Sequence, residues 1–380
     1  MRRASAIAAA VAALLIVAAR TEAHKPITSP FTFNDDVLPI VQAKCGACHV
    51  AGGVAPMSLL THADAVPWGE SLRAELMAGH MPPWPIDSPP GRFRNVHSLT
   101  ARELNVLLTW ASGGTPIGNA DRALVPATLE RRWPLGTPDV VLTMPAEVTI
   151  AADVQEHVAE FTMPTGLAGE RWLRAVDLLP GMPAVVRSAT VAVSNPGPSS
   201  GSSRTEHLLA LWVPGDHPVP LDAGIGFRLP AGAQLVLRVR YRKTWEYERV
   251  SLTDRSSIGL YFADAPGTEV RALPLTTGTT TLTEPVQALA IYPHDDAAHA
   301  RISVMATRPD GSREELIAFR PRPGWARRYW FAQPLALPKG TRLEVRTAFD
   351  EDALLPPGTI PSAPPAASST IRLTLDVVPG

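Results

Sequence analysis

The sequence predicts two kinds of fold in one chain, a small all-α domain followed by a larger all-β body. Apolar residues at helical spacing, with capping signals, mark residues 24–119. From about residue 138 onward, short alternating segments rich in Val, Leu and Thr are separated by turn residues, and the whole chain contains 39 prolines and 27 glycines. A length of 380 residues suits two or three domains.

Three helices are predicted in the N-terminal domain. The first runs from about Asp35 to Ala47, because Asn34 or Asp35 can cap it and apolar residues follow at helical spacing. The second spans about His62 to Ala78 and stops at Gly79, a residue favoured just after a helix. The third begins at Thr100-Ala-Arg-Glu103, which has the pattern of a capping box.

The all-β body is predicted to follow a linker at residues 120–137, which shows no clear periodicity. Many short strands with turn signals between them are typical of β-sandwiches. The segments predicted as strands are Trp172–Leu178, Val185–Val193, Leu235–Tyr241, Ile258–Phe262, Ala300–Ala306 and Leu343–Phe349.

The run Cys45-Gly-Ala-Cys48-His49 has the spacing of a site for covalent attachment of a c-type haem. Two thiols can bond to the haem vinyl groups, and the adjacent imidazole then binds the iron. These are the only two cysteines in the sequence, so a disulfide framework or a zinc site would need partners that the chain lacks. A thioredoxin-like redox pair is the alternative, but it requires a βαβ context that the surrounding sequence does not have.

Residues 1–23 have the plan of a secretory signal peptide: a basic start, an apolar stretch and a small-residue end at Ala23. The alternative is an uncleaved anchor. Because haem is attached to such motifs outside the cytoplasm, both features predict a periplasmic protein without an integral membrane span after cleavage. The net charge of −1 gives no reason to expect binding to nucleic acid.

Met81 is predicted as the second axial ligand of the haem iron. It lies in Gly79-His-Met-Pro-Pro-Trp84, after the second predicted helix, where two prolines stiffen the loop. His80 is the alternative, and its imidazole would lower the reduction potential relative to a His/Met pair. Met57 and Met77 are less suitable, because one lies near the attachment motif and the other within a helix.

The N-terminal region resembles the class I c-type cytochrome domain that is fused in bacteria to copper type II, ascorbate-dependent monooxygenase modules. The resemblance rests on Phe31-Thr-Phe-Asn, the attachment motif, Gly52-Gly-Val-Ala-Pro-Met57, the Met81 loop and the helix containing Trp110. It implies a small all-α class I cytochrome domain at residues 24–119.

The β body resembles the peptidylglycine and dopamine hydroxylase-like copper monooxygenases. Several stretches occur in the family's order, among them Val176–Gly181, Val185–Ala189, Trp212–Gly215, Leu229–Val236, Pro293-His294, Arg308–Gly311 and Ala336–Thr341. The resemblance implies two jelly-roll sandwiches, at residues 138–270 and 271–380.

The copper ligands of that family are largely missing from this chain. The positions of an adjacent His pair hold Arg187-Ser188, a third His position holds Arg240, and a His-x-His pair is replaced by His294-Asp-Asp296. Arginine offers no lone pair to a metal ion and carries a fixed positive charge. Both copper sites are therefore expected to be lost, and copper is not an expected cofactor.

Two clusters in the β body have an ordinary and a functional interpretation. His294, Asp296 and His299 have donor types suited to zinc or copper, but they also suit an exposed turn. Arg238, Arg240 and Arg242 are predicted to share one strand face, either as a solvated surface or as a patch that binds anions or a partner.

Three functions remain open. The first is periplasmic single-electron transfer to or from a redox partner protein, with the β body as a docking or structural platform. The second is an active copper monooxygenase that receives electrons from its haem domain. The third is a haem-based redox or ligand sensor, which requires an open position on the iron.

Overall fold

The computed structural model describes residues 28–83, 86, 87, 91–94, 96, 98–122, 124–195, 205–265, 267–294, 300–322, 324–349 and 371–380. Two β-sandwiches form most of the molecule, and a short helical segment precedes them. The predicted signal peptide at residues 1–23 lies outside the described residues. No helix in the described part of the chain is long and apolar enough to cross a membrane.

The helical segment contains four short α-helices: α1 (Leu38–Lys44), α2 (His62–Ala65), α3 (Gly69–Met77) and α4 (Ala101–Ser112). A π-helical turn, Phe33–Val37, leads into α1, and a 3-10 turn, Val66–Trp68, joins α2 to α3. The sequence predicted one continuous helix over residues 62–78, whereas the structure divides this stretch into α2, a 3-10 turn and α3.

The capping box at α4 is confirmed. The hydroxyl of Thr100 accepts from the Glu103 amide at 3.2 Å, and the Thr100 amide donates to the Glu103 carboxylate at 2.7 Å. These bonds satisfy two backbone groups that would otherwise lack a partner at the helix start. The helix is thereby fixed with Val106, Leu107 and Trp110 buried, and it packs on α3 and on the π-helical turn.

The prediction of a separate, small all-α cytochrome domain is wrong. Strands make up 41% of the structure and helices only 15%. The physical reason lies in the chain between α3 and α4, which leaves the helices and packs on the second sandwich. Ile86 and Phe93 form β-bridges with Phe319 and Phe331, and Phe93 is 6% exposed within the core of that sandwich.

The first sandwich is built from two main sheets and a small one, and the prediction of β-sandwich structure holds for this body. One sheet has the order β1 (Val140–Thr143), β10 (Ser257–Phe262), β4 (Arg171–Leu179), β7 (Ile225–Leu229) and β11 (Thr268–Glu269). The other has the order β3 (Glu156–Pro164), β8 (Gln234–Arg242), β5 (Val186–Asn195) and β6 (Thr205–Trp212), while β2 (Val148–Ile150) pairs with β9 (Leu252–Asp254).

Strand β8 shows why the sequence pattern predicts this packing. Alternate side chains on a strand point to opposite faces, and Leu235, Leu237, Val239 and Tyr241 are all 0% exposed in the core. The arginines between them lie on the outer face, as predicted.

The second sandwich has two four-stranded sheets. The first has the order β12 (Arg271–Thr276), β19 (Arg372–Pro379), β14 (Val286–Pro293) and β17 (Tyr329–Leu337). The second has the order β13 (Gly278–Thr281), β18 (Arg342–Phe349), β15 (Ala300–Thr307) and β16 (Arg313–Phe319). Each of the six predicted strands corresponds to a strand of the structure, with ends that differ by a few residues.

Arg328 joins the two sandwiches. Its guanidinium donates to the carbonyl oxygens of Leu209 and Leu208 on β6, at 2.6 and 2.9 Å. Its Nε lies 3.0 Å from the carboxylate of Asp376 on β19, and both side chains are almost completely buried. The guanidinium also lies 4.7 Å from the ring centroid of Tyr292, a cation–π arrangement.

We expect Arg328→Met to lower the free energy of unfolding by about 3–5 kcal/mol, because it leaves the buried carboxylate of Asp376 without its counter-charge. Urea unfolding followed by tryptophan fluorescence measures this change. Arg346→Met is the matched control: it breaks the exposed pair with Glu344 and should cost far less than Arg328→Met. Equal losses in the two variants would contradict the role assigned to Arg328.

Candidate functional site

One backbone turn at the end of α1 presents both cysteines and the neighbouring histidine. The amides of Cys48 and His49 donate to the carbonyl oxygen of Cys45 at 3.0 and 2.8 Å. Gly46 allows this turn to pack against the helix, since a Cβ atom there would lie 2.7 Å from the carbonyl oxygen of Gln42. The three side chains predicted to hold haem are thus brought together by local structure.

The imidazole of His49 is oriented by a single hydrogen bond. Its Nδ1 lies 3.2 Å from the carbonyl oxygen of Met57, which can only accept, so Nδ1 carries the proton. Burial lowers the pKa of His49, which favours the neutral ring. Nε2 makes no hydrogen bond to any described residue and keeps its lone pair. This arrangement, with one ring nitrogen anchored and the other available, is typical of a metal-ligating histidine.

The two thiols are held in the neutral form. Both cysteines are partly exposed, and the protein packed around them raises the pKa of Cys45 and of Cys48 to about 12. Redox-active Cys-x-x-Cys pairs have the opposite property, a thiol pKa well below the ordinary value. The environment therefore disfavours the thiolate that a thioredoxin-like redox pair uses.

The first sandwich covers the Cys48 side of the turn. The sulfur of Cys48 lies 3.5 Å from the carbonyl oxygen of Pro214, in the loop after β6. The charges of Arg187 and Arg327 lie close enough to favour the ionised form of this thiol, although burial outweighs them. Arg327 is 1% exposed and pairs at 2.6 Å with Asp216 from the same loop.

Sequence reasoning did not identify Arg327 or its neighbour Arg328. A signal was available, because two adjacent arginines interrupt the aromatic run from Trp325 to Phe331. Charged residues within such a run are either exposed or paired inside the protein. Both arginines are buried and paired.

The structure does not place Met81 in the cluster that surrounds Cys45. Met81 follows α3 and is 37% exposed, while Met57 packs against that cluster. Met57 is bonded through its carbonyl oxygen to His49 and so lies on the histidine side of the site. His80 is engaged with the carboxylate of Glu75, with Nδ1 and Oε2 3.1 Å apart. The assignment of Met81 as the second axial ligand remains a prediction.

Ser188 and Arg240, two positions at which copper ligands are expected to be lost, line one cleft of about 450 Å³ between the sandwiches together with His294. The charged groups in this cleft are largely paired with one another. Arg238 donates to the carboxylates of Glu160 and Glu206 at 2.6–2.7 Å. The pairing favours the interpretation of the arginine row as a solvated, neutralised surface.

The candidate metal cluster around His294 is only partly described. Nε2 of His294 lies 2.5 Å from the hydroxyl of Thr374. Asp296 and His299 lie outside the described residues. Within the ranges that the structure does describe, no three His, Cys, Asp or Glu side chains are grouped so that they could hold a metal ion.

Comparisons with known proteins leave the family open. No family model matches the chain, and no curated protein matches it. One similar solved structure is a recombinant peptide, N-glycanase F (PNGase F), with 10% identity and a TM-score of 0.27 over 63% of this chain and 95% of that one. Another is described as an alpha-L-fucosidase from Bacteroides ovatus ATCC 8483, with 11% identity and a TM-score of 0.20 over 67% and 40%. Values this low do not establish a shared fold or function.

A buried carboxyl group beside the site gives the protein a pH-dependent stability. Burial and, more weakly, the negative charge of Asp216 raise the pKa of Asp177 to about 7, although the Leu178 amide bonded to it acts in the opposite direction. The folded state therefore holds this proton more tightly than the unfolded chain does. Stability from this group is present at low pH and is lost as the pH rises from about 4 towards 7.

We expect Asp177→Asn to stabilise the protein at about pH 8 by up to about 4 kcal/mol, and to change its stability little near pH 4. Asparagine keeps an acceptor for the Leu178 amide without carrying the buried charge. Urea unfolding of both proteins over this pH range measures the difference. A gain that does not depend on pH would rule out ionisation of Asp177 as the cause.

Proposed function

We propose that this chain is a periplasmic c-type haem protein that transfers single electrons, with the β body as a cover and docking platform. Haem c attached through Cys45 and Cys48 supplies one-electron exchange between ferric and ferrous iron. The observation that carries the proposal is the turn that holds both thiols beside an imidazole whose Nδ1 is already bonded to Met57.

Each residue of the turn has a distinct task in this proposal. Cys45 and Cys48 would form the two covalent links, and their neutral state disfavours other thiolate chemistry. His49 binds the iron through Nε2, while Met57 fixes the ring orientation through Nδ1. Met81 is proposed as the weaker ligand on the opposite side.

Copper monooxygenase activity is a weaker explanation. Arg187, Ser188 and Arg240 occupy positions where the resembling family has histidines. Guanidinium groups cannot bind copper, and their fixed charge repels a cation. A redox partner protein outside the cytoplasm is proposed instead as the source or acceptor of the electron.

We expect the wild-type protein, matured in a host with a haem-attachment system, to carry one covalent haem that survives denaturation. Cys45→Ser and Cys48→Ser should each remove one thioether link, which shifts the pyridine haemochrome band, and the double variant should carry no covalent haem. Haem staining of denaturing gels and mass spectrometry measure attachment. Covalent haem in the double variant, or none in the wild type, would refute the assignment.

We expect Met81→Ala to open a coordination position on the iron, so that ferrous protein binds carbon monoxide at least about tenfold more tightly than wild type, a difference of about 1.4 kcal/mol. Visible absorption titration measures the binding. Met77→Ala is the matched control, because Met77 ends α3 close by and is 63% exposed. If only His80→Ala opened the iron, His80 rather than Met81 would be the ligand.

A further inference from the structure

The turn formed by residues 45–49, here called the attachment turn, meets the β body through a group of charged residues. Cys48 contacts Pro214, and the nearest cations acting on Cys48 are Arg187 at the start of β5 and Arg327 before β17. These two cations are compensated very differently. Arg327 forms a buried pair with Asp216 at 2.6 Å, so its charge is largely neutralised.

Arg187 has much weaker compensation. It is half-buried, and its Nε is enclosed without a hydrogen bond to any described residue. The charges that act on it are those of Arg242 and Glu156. Glu156 is the carboxylate among them, but it is already shared with Arg240 at 3.5 Å and Arg242 at 3.4 Å. The net field of this group at the turn is therefore positive.

We propose that the positive charge of Arg187 raises the reduction potential of a haem bound at Cys45, Cys48 and His49. This inference rests on the proposed haem function. One electron accepted from a donor lowers the charge at the iron by one, and a nearby fixed cation favours that reduced state. Because Arg187 is partly withdrawn from water, its field is screened less than that of a surface charge.

In this proposal, the arginine at position 187 has a function that does not require copper. Arginine at 187 stands where the resembling family has a copper-binding histidine, and strand β5 carries it to the attachment turn. A register shift between Val186 and Ser188 places Arg187 at a bulge in the pairing with β8. Bulges redirect a side chain out of the regular alternation. The β body would then act on the haem electrostatically rather than through copper.

The test is the reduction potential of the haem-loaded protein, measured by spectroelectrochemical titration. We expect Arg187→Gln to lower the equilibrium constant for reduction by on the order of tenfold, which is about 59 mV for one electron. Arg187→Lys keeps the charge and should restore most of the loss. Glu156→Gln removes the opposing carboxylate and should shift the potential in the opposite direction, upward.

Arg242→Gln is the matched control, because Arg242 carries the same charge on the adjacent strand but its side chain is 63% exposed. Its effect should be less than about a third of that of Arg187→Gln and should disappear in about 0.5 M salt, where exposed charges are screened. The Arg187→Gln shift should persist in that salt. Equal shifts for the two variants, or no shift for Arg187→Gln, would overturn the inference.

The two measurements, haem attachment and reduction potential, distinguish failure of the proposed haem function from failure of this inference. If the wild type carries no covalent haem, the proposed function is wrong. If haem is attached but its potential is insensitive to Arg187, only the inference is wrong. If Arg187→Gln does not fold, as judged by circular dichroism, Arg187→Met takes its place, because it also removes the charge and keeps the unbranched apolar stem.

Discussion

The buried guanidinium of Arg328 determines how the two sandwiches meet. It is bonded to backbone carbonyls of β6 on one side and paired with Asp376 on the other. A buried cation with these partners has little freedom to move, because any displacement would leave polar groups unsatisfied. The adjacent residue, Arg327, is thereby brought to Asp216, beside Cys48. The surroundings of the attachment turn thus depend on the junction between the sandwiches.

Local sequence patterns predicted the strands well and the N-terminal fold poorly. Alternating burial along β8 and the capping box of α4 are decided by neighbouring residues, so the sequence alone indicates them. The path between α3 and α4 is decided by the apolar surface that accepts Phe93, which lies more than 200 residues away at Phe331. No periodicity within the segment contains that information.

In the candidate site, too, some residues could be predicted from the sequence and others could not. Cys45, Cys48 and His49 could be predicted together because their spacing is that of a haem-attachment motif, and one turn does bring them together. The hydrogen bond from His49 to Met57 follows from a nearby loop and was not predicted. Arg187 and Arg327 approach Cys48 only through the packing of the β body on the turn. Motifs therefore identified the groups that would hold the cofactor, while tertiary structure was needed to find the groups that would act on it.

The charges near the turn are of two kinds, a paired group and one weakly compensated cation. The paired group lies in the cleft between the sandwiches. In this chain, Ser188, Arg240 and His294 line that cleft, and its arginine row is matched by glutamates on neighbouring strands. Such pairing neutralises the charges of that surface. The weakly compensated cation is Arg187, whose charge acts on Cys48 in the turn. If haem is bound at the turn, the electrostatic influence of the β body on it therefore comes mainly from Arg187 rather than from the arginine row.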